Sequence, residues 1–432
     1  MTGSKRASAA SGKSGASLAS VAYVPRDRLF LWWLAQPTQP VLVAQLDLVR
    51  QTRGVSLRYV DAWVERGFAL SEDLPLLAGQ EFLPRERDAA VGAVDDARPD
   101  RWGERVIRFI DKPPRLSLLE YLYFAGDERF GALGISTSEH EYLPRRLGPL
   151  PTLADTEAIA ELVRQVLANE PVAPELKRLI APGVTLGGAR PKALLEIDGQ
   201  QWVVKFADGD PTDAPLVEHA SLTLASRAEI SVARSQPIRL THGHAVAVER
   251  FDRRGSERRH ALSAKVALSA AGEPFGYPEL AQLLRRRGAV AGDRNAAQMR
   301  ELFRRMVFNI LIDNTDDHEK NHALLVNDAG QYELSPAYDV LPSGQALGYQ
   351  QLRVGADGAD STLDNALSMS GQFGLKPAAA QAELRRVAEV VSGWREHFAS
   401  AGVRPADIEL IAEQVDRPFL REQREQARRT RT

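Results

Sequence analysis

Cysteine is missing from the sequence. Its absence excludes disulfides and thiolate-held zinc or iron–sulfur centres, and it suits a cytoplasmic protein. Long apolar runs are missing too: none approaches the ~20 residues that span a bilayer, and Met1 to Ser20 lack the continuous apolar stretch of a secretory leader. Neither membrane insertion nor export is expected. A surplus of either charge is the third absence, since 55 basic residues stand against 57 acidic ones, for a net charge of -2. No general pull toward nucleic acid or an anionic membrane follows, and any such contact would need a local patch. What is there, over 432 residues, is 44% hydrophobic and 26% charged. That is an ordinary globular composition, long enough for two or three domain-sized units around a sizeable core.

Along the chain, residues 1–22 are rich in Ser, Ala and Gly and bury too little apolar surface to offset their ordering entropy, so a disordered tail is expected there. A first folded unit, 23–144, reads as strands in YVPRDRLFLWWL and QPVLVAQLDLV. An Asp-capped helix starts in ARPDRWGERV, and LSLLEYLYFAG is helical. A proline-punctuated connector with a helix from Asp155 to Asn169 then leads into a β-rich unit, 145–255. In that unit ALLEI and QWVVKF flank Asp198-Gly199, whose residues tolerate the positive φ of a tight hairpin turn. APLVEHASLTLASRA is helical, and HAVAVERF is a strand. From 256 to 420 the pattern is mainly helical, and 421–432 is a basic tail. The fold class expected is therefore α+β, with a β-rich lobe before a helical one.

The chemistry concentrates in NTDDHEKN, Asn314 to Asn321. Asp316 and Asn321 form D-x-x-x-x-N, the spacing that sets a carboxylate near an acceptor hydroxyl and an amide oxygen on Mg²⁺ in protein-kinase catalytic loops. Alone, that pattern also occurs in ordinary polar loops. Asp339, in LSPAYDVLPS, follows a hairpin turning at Asn327 to Gly330, which would bring its carboxylate back beside Asn321. The two oxygens would complete a Mg²⁺ site with ATP phosphates, because Mg²⁺ takes few protein ligands plus phosphate and water. Tyr338-Asp339-Val340 would then stand where other kinases have Asp-Phe-Gly.

Upstream, TLGGARPK places Gly187 and Gly188 where backbone N–H groups can approach phosphates, with Lys192 or Lys205 supplying positive charge. Taken alone, a Gly-Gly turn before a hairpin is more often only a turn, and a strand lysine more often snorkels at a sheet rim. The order adds weight: glycine turn, strand lysine Lys205, a helix bearing Glu218, a strand ending in Glu249-Arg250-Phe251, then D-x-x-x-x-N and a late Asp. This is the order of a bilobal kinase. In it Lys205 contacts ATP phosphates and Glu249 to Phe251 is the hinge that meets adenine. Glu218 either pairs with Lys205 or is an exposed helix residue.

Three further features have plainer readings. His318 and His322, at i and i+4, could join Asp316 or Asp317 around a metal, but H-E-x-x-H is absent. The arginine-rich RFDRRGSERRH, LLRRRG and REQREQARRTRT read as solvated faces. Trp32, Trp33, Trp63 and Trp102 read as core rather than a stacking platform.

Laid in order, LGGARPKALL, WVVKF, VERFDR, FNILIDNTDDHEKNHALL and LSPAYDVLP, with DARPDRWGERV and GDERFGALGIS before them, resemble the HipA family of bacterial serine/threonine kinases. These are the toxin halves of toxin–antitoxin pairs, and the resemblance runs from about Tyr23 to Val415. It implies a HipA-like bilobal kinase fold, with Asp316 as proton acceptor and Asn321 and Asp339 on Mg²⁺. It also implies an ATP pocket of Gly187, Gly188, Ala189, Arg190, Pro191, Lys192, Lys205, Glu249, Arg250, Phe251, His318, Glu319, Lys320, Asn321, Tyr338 and Asp339. Thr185 stands where family members have an autophosphorylated, inactivating serine, and a phosphate there would seek arginines such as Arg190. A helix-turn-helix antitoxin is the implied partner, with DNA reached only through it. The acceptor is a protein, an aminoacyl-tRNA synthetase in the known member, although no motif here selects that substrate. Two rivals are a small-molecule kinase of the aminoglycoside or choline type and a non-catalytic co-repressor.

Overall fold

The computed structural model describes residues 23–145, 148–183 and 188–429. Expectations for residues 1–22, for Thr185 and for Gly187 lie outside the described residues. No helix is long and apolar enough to cross a membrane among the described residues.

The first unit is built on an antiparallel sheet of β1 (Arg28–Trp33), β2 (Val41–Val49), β3 (Gly54–Tyr59), β4 (Glu81–Phe82) and β5 (Leu133–Ser136), in the order β4-β3-β2-β1-β5. Alternation along β1 and β2 buries Leu29, Leu31, Ala44 and Leu46 on one face, the period-2 signature of a half-buried strand. Trp32, Trp63 and Trp102 are buried, while Trp33 is half-buried against Trp63, Phe68 and His260. The helix Arg101–Val106 is N-capped by Asp100, which accepts from the Gly103 N–H at 2.9 Å.

A second antiparallel sheet joins β6 (Lys192–Ile197), β7 (Gln200–Lys205), β8 (Ser235–Arg239) and β9 (His244–Glu249) in the order β6-β7-β9-β8. Its tight hairpin places Asp198 and Gly199 at φ 51° and 73°, which their residue types tolerate. Here parity decides function. Ala193, Leu195, Trp202, Val204, Ala245 and Ala247 pack against the helix Thr156–Ala168, through Ile159, Leu162, Val163 and Val166. The alternate residues Leu194, Val203, Val246 and Val248 face Phe130, Leu325 and Tyr338. Lys205 follows Val203 by two, so it points to this second side, toward the helical lobe.

The two-residue strands β10 (Arg253–Arg254) and β11 (Glu257–Arg258) follow, then a small sheet of β12 (Ala261–Ser263), β13 (Ala323–Val326) and β14 (Tyr332–Leu334). The β13–β14 turn spans Asn327 to Gly330, closed by Gly330 N–H to Asn327 O at 2.8 Å and Asn327 N–H to Gln331 O at 3.0 Å. The helix Arg294–Leu311 is the spine of the helical lobe. It buries Met299, Leu302, Phe303, Met306, Val307 and Ile310, and it packs on the helices Tyr277–Arg287 and Pro377–Ser392.

Two basic stretches differ from a solvated face. Within RFDRRGSERRH, Arg250 and Arg258 are buried, and only 5% of the Arg253 side chain is exposed. Arg250 donates to Asp252, Glu128 O and Arg129 O, Arg253 to Asp252, Arg129 O and Gly131 O, and Arg258 to Asp127 O. Guanidinium planes suit this work, since one group satisfies several carbonyls of the Asp127–Gly131 loop at once. At the chain's end, where a basic tail was expected, the helix Pro418–Arg429 forms and buries Leu420, Arg424 and Ala427.

Candidate active site

Lys205, at the end of β7, is 2% exposed. Its Nζ lies 2.7 Å from Glu218 Oε1 and 2.6 Å from Asp339 Oδ1. Glu218 comes from the helix Ala214–Arg227, which is buried along much of its length and has a broad apolar surface rather than a narrow stripe. One ammonium thus faces two carboxylates, a buried one on Glu218 and a half-buried one on Asp339, 13% of whose side chain is exposed, leaving a surplus negative charge. Burial pushes the Glu218 carboxyl up and Lys205 only partly offsets it. Burial also pushes Asp339 up, but there the Lys205 ammonium and its hydrogen bond win and hold the carboxyl below the ordinary range. Asp339 itself sits at φ 58°. Its second oxygen faces the glycine segment: a Cβ on Gly188 would stand 3.8 Å from Asp339 Oδ2.

The loop after the helix Arg294–Leu311 is pinned residue by residue. Asp313, at φ 58°, pairs with Arg417 at 2.9 Å, and Asn314 donates to Asn309 Oδ1 at 3.1 Å. Thr315 and Ser343 share a hydroxyl hydrogen bond of 2.6 Å. Asp317 accepts from the Tyr277 hydroxyl and lies 2.7 Å from His322 Nε2. All four of these residues are buried, and Asp316 alone in Asp313–Asp317 turns its side chain to solvent. The protein around it still raises the Asp316 carboxyl by desolvation, with Asp339 adding to the shift and His318 opposing it. Asn321 donates from Nδ2 to Asp316 O at 3.4 Å, while its buried Oδ1 has no hydrogen-bond partner among the described residues.

His322 is therefore held by Asp317, and it faces the Tyr277 ring rather than joining His318 around a metal. Among the described residues no cluster of His, Asp and Glu has metal-site geometry. An Asn carbonyl beside a carboxylate and phosphate oxygens is the donor set for Mg²⁺ instead. The orphaned Asn321 Oδ1 and the surplus negative charge at Lys205 fit it.

Other residues singled out from the sequence are spread around this centre. Arg190 forms a two-pronged pair with Asp210 at 2.8 and 3.0 Å. Ala189 is exposed, Pro191 is buried and accepts from the Phe206 N–H, and Lys192 is buried on Asp100 and Gly188 O. Glu249 and Arg250 commit their N–H groups to Arg234 O and Gln201 O, and the Arg250 side chain turns into the first unit. Phe251 lies on the Tyr338 ring at 5.4 Å, and Tyr338 donates its hydroxyl to Lys320 O at 2.8 Å. His318 Nδ1 accepts from the Lys320 N–H at 3.1 Å, and Glu319 O accepts from the Lys265 N–H at 3.0 Å. The roles of Glu218, Asp317, Asp210 and Asp100 are tertiary. Of these partnerships, only that of Glu218 with Lys205 was among the readings of the sequence, as one of two; Asp100 was legible as a helix cap, and Asp317 only as a possible metal ligand.

Residues 184–394 match the model of the HipA-like C-terminal domain. "Putative kinase Y4dM" of Sinorhizobium fredii (strain NBRC 101917 / NGR234) is 29% identical over 247 residues, covering 53% of this chain and 56% of its own length. The chain thus spans little more than half of that relative. "Putative kinase Y4mE" of the same organism is 26% identical over 340 residues, covering 72% of this chain and 76% of its own. Among solved structures, the Shewanella oneidensis MR-1 toxin–antitoxin complex of HipA, HipB and operator DNA contains a chain that is 17% identical. That match has a TM-score of 0.61 and covers 94% of this chain and all of that one. At that identity the likeness is one of fold, and the fold is HipA-like and kinase-like, of mixed α and β content.

Proposed function

This chain carries a HipA-like C-terminal domain over residues 184–394, and from that premise we propose that it is a kinase moving the γ-phosphoryl group of ATP onto a serine or threonine hydroxyl of a protein. The observation that carries the reading is the Lys205–Glu218–Asp339 trio, its lysine and glutamate buried, together with a loop on which the Asn321 carbonyl is unpartnered among the described residues and Asp316 is exposed. Two relatives whose names describe them as kinases support the reaction class.

In this reading Asp316 accepts the proton of the acceptor hydroxyl as its oxygen bonds to phosphorus and the bond to ADP breaks. Lys205 binds phosphate oxygens and is oriented by Glu218. Asn321 and Asp339 would hold Mg²⁺, which when bound neutralises phosphate charge. Gly188 lets backbone approach the phosphates, with Gly187 extending the same segment. Ala189, Arg190, Pro191, Lys192, His318, Glu319 and Lys320 form the rim, while Glu249, Arg250, Phe251 and Tyr338 form the adenine side. Thr185 is the candidate for self-phosphorylation. A helix-turn-helix partner, as the toxin side of a toxin–antitoxin pair would have, belongs to the same reading, with DNA contacted through that partner.

The test is intact-mass and phosphopeptide analysis of the full chain incubated with Mg·ATP and a bacterial lysate, beside Asp316→Ala. Phosphate on Thr185 or on a lysate protein, absent with Asp316→Ala, is the expected result. No transfer to any protein, with turnover of a small alcohol instead, would overturn it.

A further inference from the structure

The stretch Arg98 to Glu104 of the first unit has no part in the chemistry above, yet it meets the chain on both sides of the glycine segment. Beyond the segment, Lys192 is gripped twice. Its Nζ donates to Asp100 Oδ2, and its backbone carbonyl accepts from the Trp102 indole N–H at 2.8 Å. The same ammonium donates to Gly188 O at 3.1 Å, closing Gly188–Lys192 on itself. Before the segment, Gly103 approaches Pro182 so closely that a Cβ would stand 2.0 Å from Pro182 O. Likewise a Cβ on Gly183 would stand 2.3 Å from Ala125 O. Only glycine permits such backbone contact.

Asp100 serves two partners because Oδ1 is the helix N-cap and Oδ2 remains for Lys192. Only 1% of the Lys192 side chain and 10% of Asp100 reach solvent, so the pair is desolvated, unlike a surface pair. A cavity of about 40 Å³ lined by Asp96, Asp100, Gly188, Lys320 and Tyr338 continues from this contact to the catalytic loop.

We propose that Asp100 and Trp102 are positioning residues: with Gly103 they clamp Gly188–Lys192 at the height the phosphates require, so that nucleotide affinity depends on a unit outside the kinase lobes. The affinity half of this rests on the phosphoryl-transfer reading, whereas the clamp itself does not. Lys192 then reaches phosphate only as far as Asp100 allows.

Two mild variants test it in the full chain. Asp100→Asn keeps the helix cap but removes the charge, and Trp102→Phe keeps the ring but removes the N–H. Amide exchange without nucleotide should quicken at least ~tenfold across Gly188–Leu194 and little elsewhere. The Kd for Mg·ATP should rise roughly 5- to 20-fold, with kcat at saturating ATP within about twofold. Exchange unchanged in both variants, or faster across the whole chain, would overturn the clamp. A local rise in exchange with an unchanged Kd would overturn its role in binding. Wild-type protein that binds no Mg·ATP would remove the kinase reading and the affinity claim together, while locally faster exchange in the variants would still support the clamp.

Discussion

Lys205 Nζ and Asp339 Oδ1 lie 2.6 Å apart across a sequence separation of 134 residues, joining the sheet β6–β9 to the segment that follows the Asp313–Asn321 loop. Because Glu218 shares the same ammonium, the contact is both a structural tie and the centre of the candidate active site.

Lys205→Met should therefore fail twice. Leaving the buried Glu218 and the half-buried Asp339 without their counter-charge should cost ~3–5 kcal/mol of stability near neutral pH. The gap to wild type should narrow as the solution is acidified, since protonation relieves Glu218 and Asp339. Urea unfolding at two pH values checks this, and a gap independent of pH would contradict it. Phosphoryl transfer should be lost even where the variant is folded.

Asp316→Asn should leave the unfolding midpoint unchanged, because the side chain is exposed. It should lower kcat by roughly 10²–10⁴, the usual range for a lost general base. A base works only when ionised, and partial desolvation by the surrounding protein raises this carboxyl above the ordinary range, although the side chain still reaches solvent. Wild-type activity should thus fall on the acid side at a higher pH than an unperturbed aspartate would give. A rate–pH profile that is flat down to the ordinary aspartate range would count against Asp316 as the base.

Asp252 accepts from Arg250, Arg253 and the Gly131 N–H with no exposure to solvent. Burial pushes its carboxyl up, but the two guanidinium groups prevail and hold it well below the usual range. Its stabilising contribution is present above the unfolded pKa of ~4 and is lost as pH falls through the depressed folded value. Asp252→Asn should cost ~3–5 kcal/mol at neutral pH by stranding two buried cations. Limited proteolysis should then cut first near Asp127–Gly131.

Asp96 has the opposite sign. It accepts from the Ser263 N–H and hydroxyl at 2.6 and 2.7 Å, but burial raises its carboxyl to about 6. The folded chain then binds this proton more tightly than the unfolded one. The associated stability is present at low pH and lost as pH rises from ~4 to about 6, up to ~3 kcal/mol in all. Relative to wild type, Asp96→Asn should flatten that slope in thermal unfolding between those pH values.

What the sequence discloses is what is local. The Asp198-Gly199 turn, the Asp100 cap, the 18-residue helix before Asp313 and the spacing of Asp316 to Asn321 each depend on near neighbours, and the α+β class follows from them. Glu218 was legible only as one of two possibilities, because a helix glutamate gives no sign of what faces it. Arg250, Arg253 and Arg258 resembled a solvated run because composition does not show that a carbonyl-rich loop 120 residues earlier folds onto them. Lys192 looked as available for phosphate as Lys205. What separates them is Asp100, some 90 residues upstream, which no local pattern connects to a glycine turn.

The parity of β7 sets a limit on how this gene can vary. Trp202 and Val204 face the connector helix while Val203 and Lys205 face the opposite lobe. One codon added or removed between Trp202 and Lys205 would exchange the two faces, sending an ammonium into the aliphatic layer and an apolar side chain toward Asp339. Substitutions can be sampled singly in this strand, but length changes inside it cannot. Insertions that homologues tolerate should gather beyond its ends, at the Asp198–Gly199 turn or after Phe206.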